Sequence, residues 1–128
     1  MIAGIGCDIC NIERIEKVWR HFGERFVNRT CSVAEQAELI GTKNFEQYMA
    51  GLAKFFAAKE AFVKAIGTGF RYGIKFTEIE VLPDELGKPE IKVSGVAAEF
   101  VEKLEVKNML ISLSDDYPYV QAMVVLEK

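Results

Sequence analysis

The chain has 128 residues, 50% of them hydrophobic, which is enough for one domain over residues 1–128 with a real core and too few for two. A formal net charge of −3 excludes a general nucleic-acid binder, whose footprint is a strong basic excess, so an acidic partner has to be met by a local patch. The start Met1-Ile2-Ala3-Gly4-Ile5-Gly6 has no basic segment and nothing later approaches the roughly 20 apolar residues of a membrane span, which makes the cytoplasm the expected location and a membrane partner unexpected.

Ile2 to Ile9 reads as a short apolar strand with glycines that closes on Asp8. Cys7 and Cys10 spell C-x-x-C, but Cys31 is the only other cysteine and His21 the only histidine, so a zinc site or a disulfide framework lacks residues. The single histidine also argues against a Ser-His-Asp or Cys-His nucleophile. Asn11 caps a helix to about Phe22, with Ile12, Ile15, Val18, Trp19 and Phe22 on one face. Arg14, Lys17 and His21 line another face, with Arg20 beside them and Arg25 and Arg29 just past Gly23. This is either a basic docking ridge on an acidic protein or a plain solvated helix face.

Ser32 followed by Glu35 forms a capping box that opens a short helix to about Ile40. Gly41-Thr42-Lys43-Asn44 breaks it, and a long helix from about Phe45 to Ile66 follows. After Gly67-Thr68-Gly69 and Gly73, Phe76 to Leu82 alternates as a strand. Asp84 to Lys88 is turn chemistry, and Pro89 to Val93 is the returning strand. Gly95 to Leu104 is helical. Met109 to Ser114 and Tyr119 to Leu126 form a terminal hairpin around Asp115-Asp116-Tyr117-Pro118. Strands and helices are segregated, which predicts an α+β fold: helices packed on a mostly antiparallel sheet, with the long helix crossing it as the core element.

That long helix carries the chemistry. At about 3.6 residues per turn it places Phe45, Tyr48, Leu52, Phe55, Phe56, Phe62, Val63 and Ile66 on one stripe, with Lys59 in its middle. An unpaired ammonium there costs several kcal/mol, roughly, so Lys59 needs a partner, an anion from outside, or a path to snorkel into water. Glu60 and Lys64 lie one turn apart at the edge of the stripe, beside the small Ala53 and Ala57, where a ligand can approach closely. A metal-phosphate site and a surface ion pair both fit that spacing. Gly67 reads as an ordinary left-handed helix stop.

Gly4-Ile5-Gly6-Cys7-Asp8-Ile9 with Ile12-Glu13-Arg14-Ile15, then Arg25-Phe26 through Arg29 to Glu35, open a longer pattern. It continues through Ala50-Gly51-Leu52-Ala53-Lys54-Phe55-Phe56-Ala57-Ala58-Lys59-Glu60-Ala61 and Lys64-Ala65-Ile66-Gly67-Thr68-Gly69. Gly87-Lys88-Pro89 and Ser112-Leu113-Ser114 with Ala122 and Val124-Val125 complete it. Over nearly its whole length the chain resembles the holo-acyl-carrier-protein synthases, small phosphopantetheinyl transferases of fatty acid biosynthesis that move 4'-phosphopantetheine from coenzyme A onto a serine of acyl carrier protein. The resemblance implies a 4'-phosphopantetheinyl transferase-like fold, a homotrimer, and Mg²⁺ held by Asp8 and Glu60. Asp8, Glu60 and Lys64 are then the catalytic residues. Lys54, Lys59, Lys64, Gly67 and Ser112 are expected at coenzyme A, and Arg14, Lys17, Arg20, His21 and Arg25 at the carrier, with apolar help from Ile15, Val18 and Phe22. Mg²⁺ taking one or two carboxylates alongside phosphate oxygens suits Asp8 and Glu60 independently. One departure stands out: the family's histidines flanking Ile111 to Ser114 are here Leu110 and Asp115.

Two other classes share parts of this pattern. A non-catalytic carrier-protein or nucleotide-binding module needs the ridge but not both carboxylates. A Mg²⁺-dependent phosphohydrolase needs both carboxylates but no ridge.

Overall fold

A computed structural model describes residues 1–128. The chain opens with β1 (Ile2–Asn11), followed by helices α1 (Ile12–Phe22), α2 (Glu24–Thr30), α3 (Val33–Ile40) and α4 (Phe45–Ile66). A single 3-10 turn, Phe76–Glu78, leads into β2 (Ile79–Pro83) and β3 (Pro89–Val93), and α5 (Gly95–Lys103), β4 (Asn108–Asp116) and β5 (Tyr119–Glu127) complete it. The arrangement is α+β with antiparallel strands throughout, in two sheets rather than one: β1-β5-β4 and β2-β3. The last strand thus fills the centre of the larger sheet, pairing with the first strand on one side and its own hairpin partner on the other. No helix is long and apolar enough to cross a membrane.

Local chemistry explains most boundaries. Asn11 accepts from the Glu13 N–H at 2.9 Å to start α1, and Asn44 accepts from the Gln47 N–H at 2.9 Å to start α4. The Ser32–Glu35 capping box is fully formed. Gly67, at φ 83°, ends α4 in the left-handed conformation. Two expectations differ from what is seen. Residues 24–30, carrying Arg25 and Arg29, form a helix of their own after Gly23. Phe76 to Glu78, expected to begin a strand, instead makes one tight turn whose Phe76 ring stacks on both Phe70 and Phe56.

The core is one cluster of 26 buried residues with α4 at its centre. Phe62 apart, the aromatics of this helix are not its most deeply buried positions. Ala53, Ala57, Ala58 and Ala61 are fully buried, whereas Phe45 is exposed and Tyr48, Phe55 and Phe56 are only half-buried. The reason lies on β1. Gly4 and Gly6 face α4, and a Cβ on either would run into the backbone carbonyl of Ala65 or Ala61 respectively. Glycine on the strand meeting alanine on the helix lets the two backbones touch, and this contact sets the distance between everything the two elements carry.

Alternation along the strands gives the larger sheet one covered face. Gly6, Cys10, Val120, Ala122, Val124 and Leu126 pack under α4. The opposite face exposes Ile5, Ile9, Leu110 and Met123. The three cysteines are free.

Candidate active site

Asp8 follows Gly4 and Gly6 on the side of β1 that faces α4, so the close glycine–alanine contact delivers its carboxylate to the last turns of that helix. Lys64 Nζ donates to Asp8 Oδ1 at 3.0 Å and to the Cys7 carbonyl at 3.0 Å. Glu60, one turn earlier on α4, is half-buried. Burial pushes its carboxyl above the ordinary carboxylate value, and the negative charge of Asp8 pushes it further, while Lys64 and Arg14 pull it back. The Cys10 thiol reports the same neighbourhood. Burial drives it up to about 11; Arg14 opposes the rise, and Asp8 and Glu60 add to it. Asp8, Glu60, Lys64 and Arg14 therefore share one electrostatic pocket, assembled from β1, α4 and α1.

Lys59 is a correction. Expected beside a cofactor phosphate, it is fully buried and has its partner inside the protein: Nζ donates to Glu35 Oε1 at 2.6 Å and to the Thr30 carbonyl at 2.6 Å. Glu35 is saturated in turn, accepting the Ser32 N–H on Oε1 at 2.8 Å and the Val81 N–H on Oε2 at 2.7 Å. This internal pair ties α2, α3, α4 and β2 together, and no ligand reaches it. The capping box was visible as a sequence signal; nothing local announced that its glutamate also receives a lysine from another helix.

The remaining expected contacts spread over the surface of a single chain. Lys54 lies about 15 Å from Lys64 along the helix axis, at 1.5 Å per residue, and pairs with Asp115 at 3.2 Å. Asp115 thus spends its charge on Lys54. Ser112 sits on the far edge strand, β4, and points to the bare face of the sheet. There it lines a groove of about 580 Å³ with Lys88, Lys107, Asn108, Leu110 and Met123. Within one chain neither Lys54 nor Ser112 joins Asp8 and Glu60. Gly67 faces open space, and its positive φ accounts for the glycine.

The basic ridge is narrower than expected. Arg14, Lys17 and His21 follow one another at helical spacing, and Arg25 and Arg29 rim an apolar groove with Val18, Phe22, Phe26, Phe56 and Phe76. Arg20 points elsewhere: it pairs with Glu16 at 2.9 Å and lies over the Phe45 ring. Ile15, expected as an apolar contact for a partner, is a core residue. Arg14 stands at the junction between the ridge and the carboxylate pocket, a placement its helical position alone did not reveal.

Residues 4–122 match the profile of the 4'-phosphopantetheinyl transferase superfamily. The holo-[acyl-carrier-protein] synthase of Vibrio cholerae is 41% identical over 100% of this chain and 99% of its own. Among solved structures, the crystal structure of holo-[acyl-carrier-protein] synthase from Neisseria meningitidis superposes with a TM-score of 0.91 at 38% identity, covering 100% of both chains. The Bacillus anthracis holo-(acyl-carrier-protein) synthase, solved in complex with CoA (3',5'-ADP), does so with a TM-score of 0.83 at 34% identity, covering 100% of this chain and 98% of that one. Fold and full-length likeness agree, and the chain belongs to the 4'-phosphopantetheinyl transferase superfamily.

Proposed function

We propose that this chain transfers 4'-phosphopantetheine from coenzyme A to a serine of an apo acyl carrier protein, using Mg²⁺ held by Asp8 and Glu60. The observation that supports it most is the Lys64–Asp8 ion pair at one edge of the α4–β1 contact, with Glu60 near enough to feel the charges of Asp8, Lys64 and Arg14. The donor set fits the metal. No group of three or more His, Cys, Asp and Glu side chains is available to enclose an ion, so a metal here completes its shell with water and phosphate oxygens, as Mg²⁺ commonly does. A cation, the ammonium of Lys64, already rests on Asp8.

When bound, Mg²⁺ supplies positive charge to the pyrophosphate oxygens and lowers the pKa of water in its shell. Glu60, its carboxyl held up by burial, is suited to take the proton of the carrier's serine hydroxyl. The serine oxygen bonds to the β-phosphorus, the bond from that phosphorus to the bridging oxygen breaks, and adenosine 3',5'-bisphosphate leaves with the bridging oxygen. Lys64 donates to the oxygens that gain charge as this happens.

The ridge serves the carrier, an acidic protein that a chain of net charge −3 otherwise repels. Arg14, Lys17, His21 and Arg25 meet its acidic helix, and Val18 and Phe22 supply apolar contact; Arg20 and Ile15 drop out. Arg14 neighbours Glu60 as well, so Arg14→Glu disturbs chemistry and docking together, while Lys17→Glu is the cleaner test of docking alone.

The bare sheet face of Ile5, Ile9, Leu110 and Met123 favours an assembly that covers it, and the family resemblance makes that assembly a homotrimer. In such an assembly Ser112, Lys88 and Lys107 of one copy can serve a coenzyme A seated on another copy's Asp8 and Glu60. Sedimentation as a monomer at micromolar concentration contradicts this. A cytoplasmic place in fatty acid biosynthesis follows from the same reading.

The test is incubation with apo carrier protein, coenzyme A and Mg²⁺, followed by intact-mass measurement. The expected result is a gain of one phosphopantetheine on the carrier, lost in Asp8→Ala and Glu60→Ala. Cleaved coenzyme A with no adduct indicates a phosphohydrolase; intact coenzyme A with no adduct indicates a binding module.

A further inference from the structure

Three lysines of α4 each hold an acidic partner from a different element: Lys54 with Asp115 of β4, Lys59 with Glu35 of α3, and Lys64 with Asp8 of β1. Only the last pair spends a group that the metal also needs. The Lys64 side chain is 51% exposed and that of Asp8 only 16%, so the lysine lies on the solvent side of a recessed carboxylate, where an incoming ion has to arrive. Its second bond, to the Cys7 carbonyl, secures it to the same strand. Lys59 cannot take this role, since it is sealed in the core.

We propose that Lys64 is a built-in counter-ion for Asp8: in the metal-free chain its ammonium occupies the cation position, and a divalent ion must displace it, freeing it for the substrate phosphate. The proposal rests on Asp8 and Glu60 being the metal ligands. An ammonium on a four-carbon stem is a mobile point charge with three donors, suited to changing acceptors without moving the backbone. Competition for one carboxylate is reciprocal, so whatever affinity Lys64 takes from the metal, the metal takes from the Lys64–Asp8 contact. A phosphate-binding ammonium is then released only in a chain that already holds its ion, which couples metal loading to anion binding.

The test uses the full chain without coenzyme A and Mn²⁺ as a spectroscopic substitute for Mg²⁺, with binding read by electron paramagnetic resonance. Lys64→Gln is expected to bind Mn²⁺ about threefold more tightly, the scale of a half-exposed ion pair, and Lys64→Arg to stay near wild type. Asp8→Asn is expected to lose binding. Unchanged or weaker binding in Lys64→Gln, with Asp8→Asn still losing it, overturns the counter-ion role and leaves the metal site standing. Binding indifferent to Asp8→Asn overturns both. Amine labelling with mass-spectrometric readout adds a direct view of the side chain: Mg²⁺ is expected to speed labelling of Lys64 and not of Lys54, which stays on Asp115. A Lys64 rate indifferent to Mg²⁺ overturns displacement.

Discussion

Lys59 and Lys64 sit five residues apart on one helix, and each is bonded to a carboxylate and a backbone carbonyl, yet they do opposite work. The Lys59–Glu35 pair is sealed, with both side chains fully buried and the carboxylate satisfied by two further N–H donors. The Lys64–Asp8 pair stands at the surface beside a third charged group, Glu60, and two of its members retain access to solvent. What separates them is solvent access rather than chemistry. A sealed pair cannot exchange partners without an uncompensated buried charge, so it holds helices in place. An open pair exchanges partners at little cost and is available to an incoming ligand.

Breaking the sealed pair has the largest expected effect. Lys59→Met leaves Glu35 charged and buried, and is predicted to cost about 3–5 kcal/mol in urea unfolding. Closely behind comes the contact that positions the open pair. Gly6→Ala drives a methyl group into the Ala61 carbonyl, an overpacking predicted to cost roughly 1–3 kcal/mol. It is also predicted to lower transferase activity more than its melting temperature would suggest, because α4 moves off Asp8. An activity loss no greater than that of an equally destabilised core variant would break the link between the glycines and the site.

Glu60 sharpens the comparison through pH. Its folded carboxyl titrates above the ordinary value of 4.5, chiefly through burial and then through Asp8. The folded chain therefore holds this proton more tightly than the unfolded chain, and the group erodes stability as pH rises from that value through its folded one. Metal-free Glu60→Gln is accordingly predicted to melt higher than wild type at neutral pH, with the advantage vanishing below 4.5. A constant difference across pH would disconnect it from this carboxyl. Smallest of all is Lys54→Met. Both side chains of this pair are partly exposed, and the loss is predicted at under about 1 kcal/mol by thermal melting.

Much of this was legible in sequence because it depends on near neighbours. Asn11, Ser32 with Glu35 and Gly67 mark helix ends through contacts within four residues, each where the sequence predicts one, and Asn44 caps α4 in the same local way. Residues 24–30 were not read as a helix, being seven residues long and started by a glycine without a side-chain cap. Hydrophobicity places Leu52, Phe62 and Val63 correctly in the core but also puts Phe45, Phe55 and Phe56 there; the face of α4 against β1 is alanine because the opposing strand carries glycine. Gly4 and Gly6 facing Ala61 and Ala65 is a signal that could have been found, since i,i+2 on a strand against i,i+4 on a helix keeps both sets on one face.

Sequence alone determined the order of elements apart from α2 and the turn at Phe76–Glu78, the α+β class and the residue types a phosphoryl-transfer site requires, since caps, periodicity and motif spacing are properties of adjacent residues. Tertiary structure decided which lysine is sealed and which is open, that Arg14 joins the carboxylates while Arg20 leaves the ridge, and that Ser112 lies on another edge from Asp8. Those outcomes depend on which surfaces exclude water once α4 lies against β1, and burial of that kind is set by residues distant in the chain.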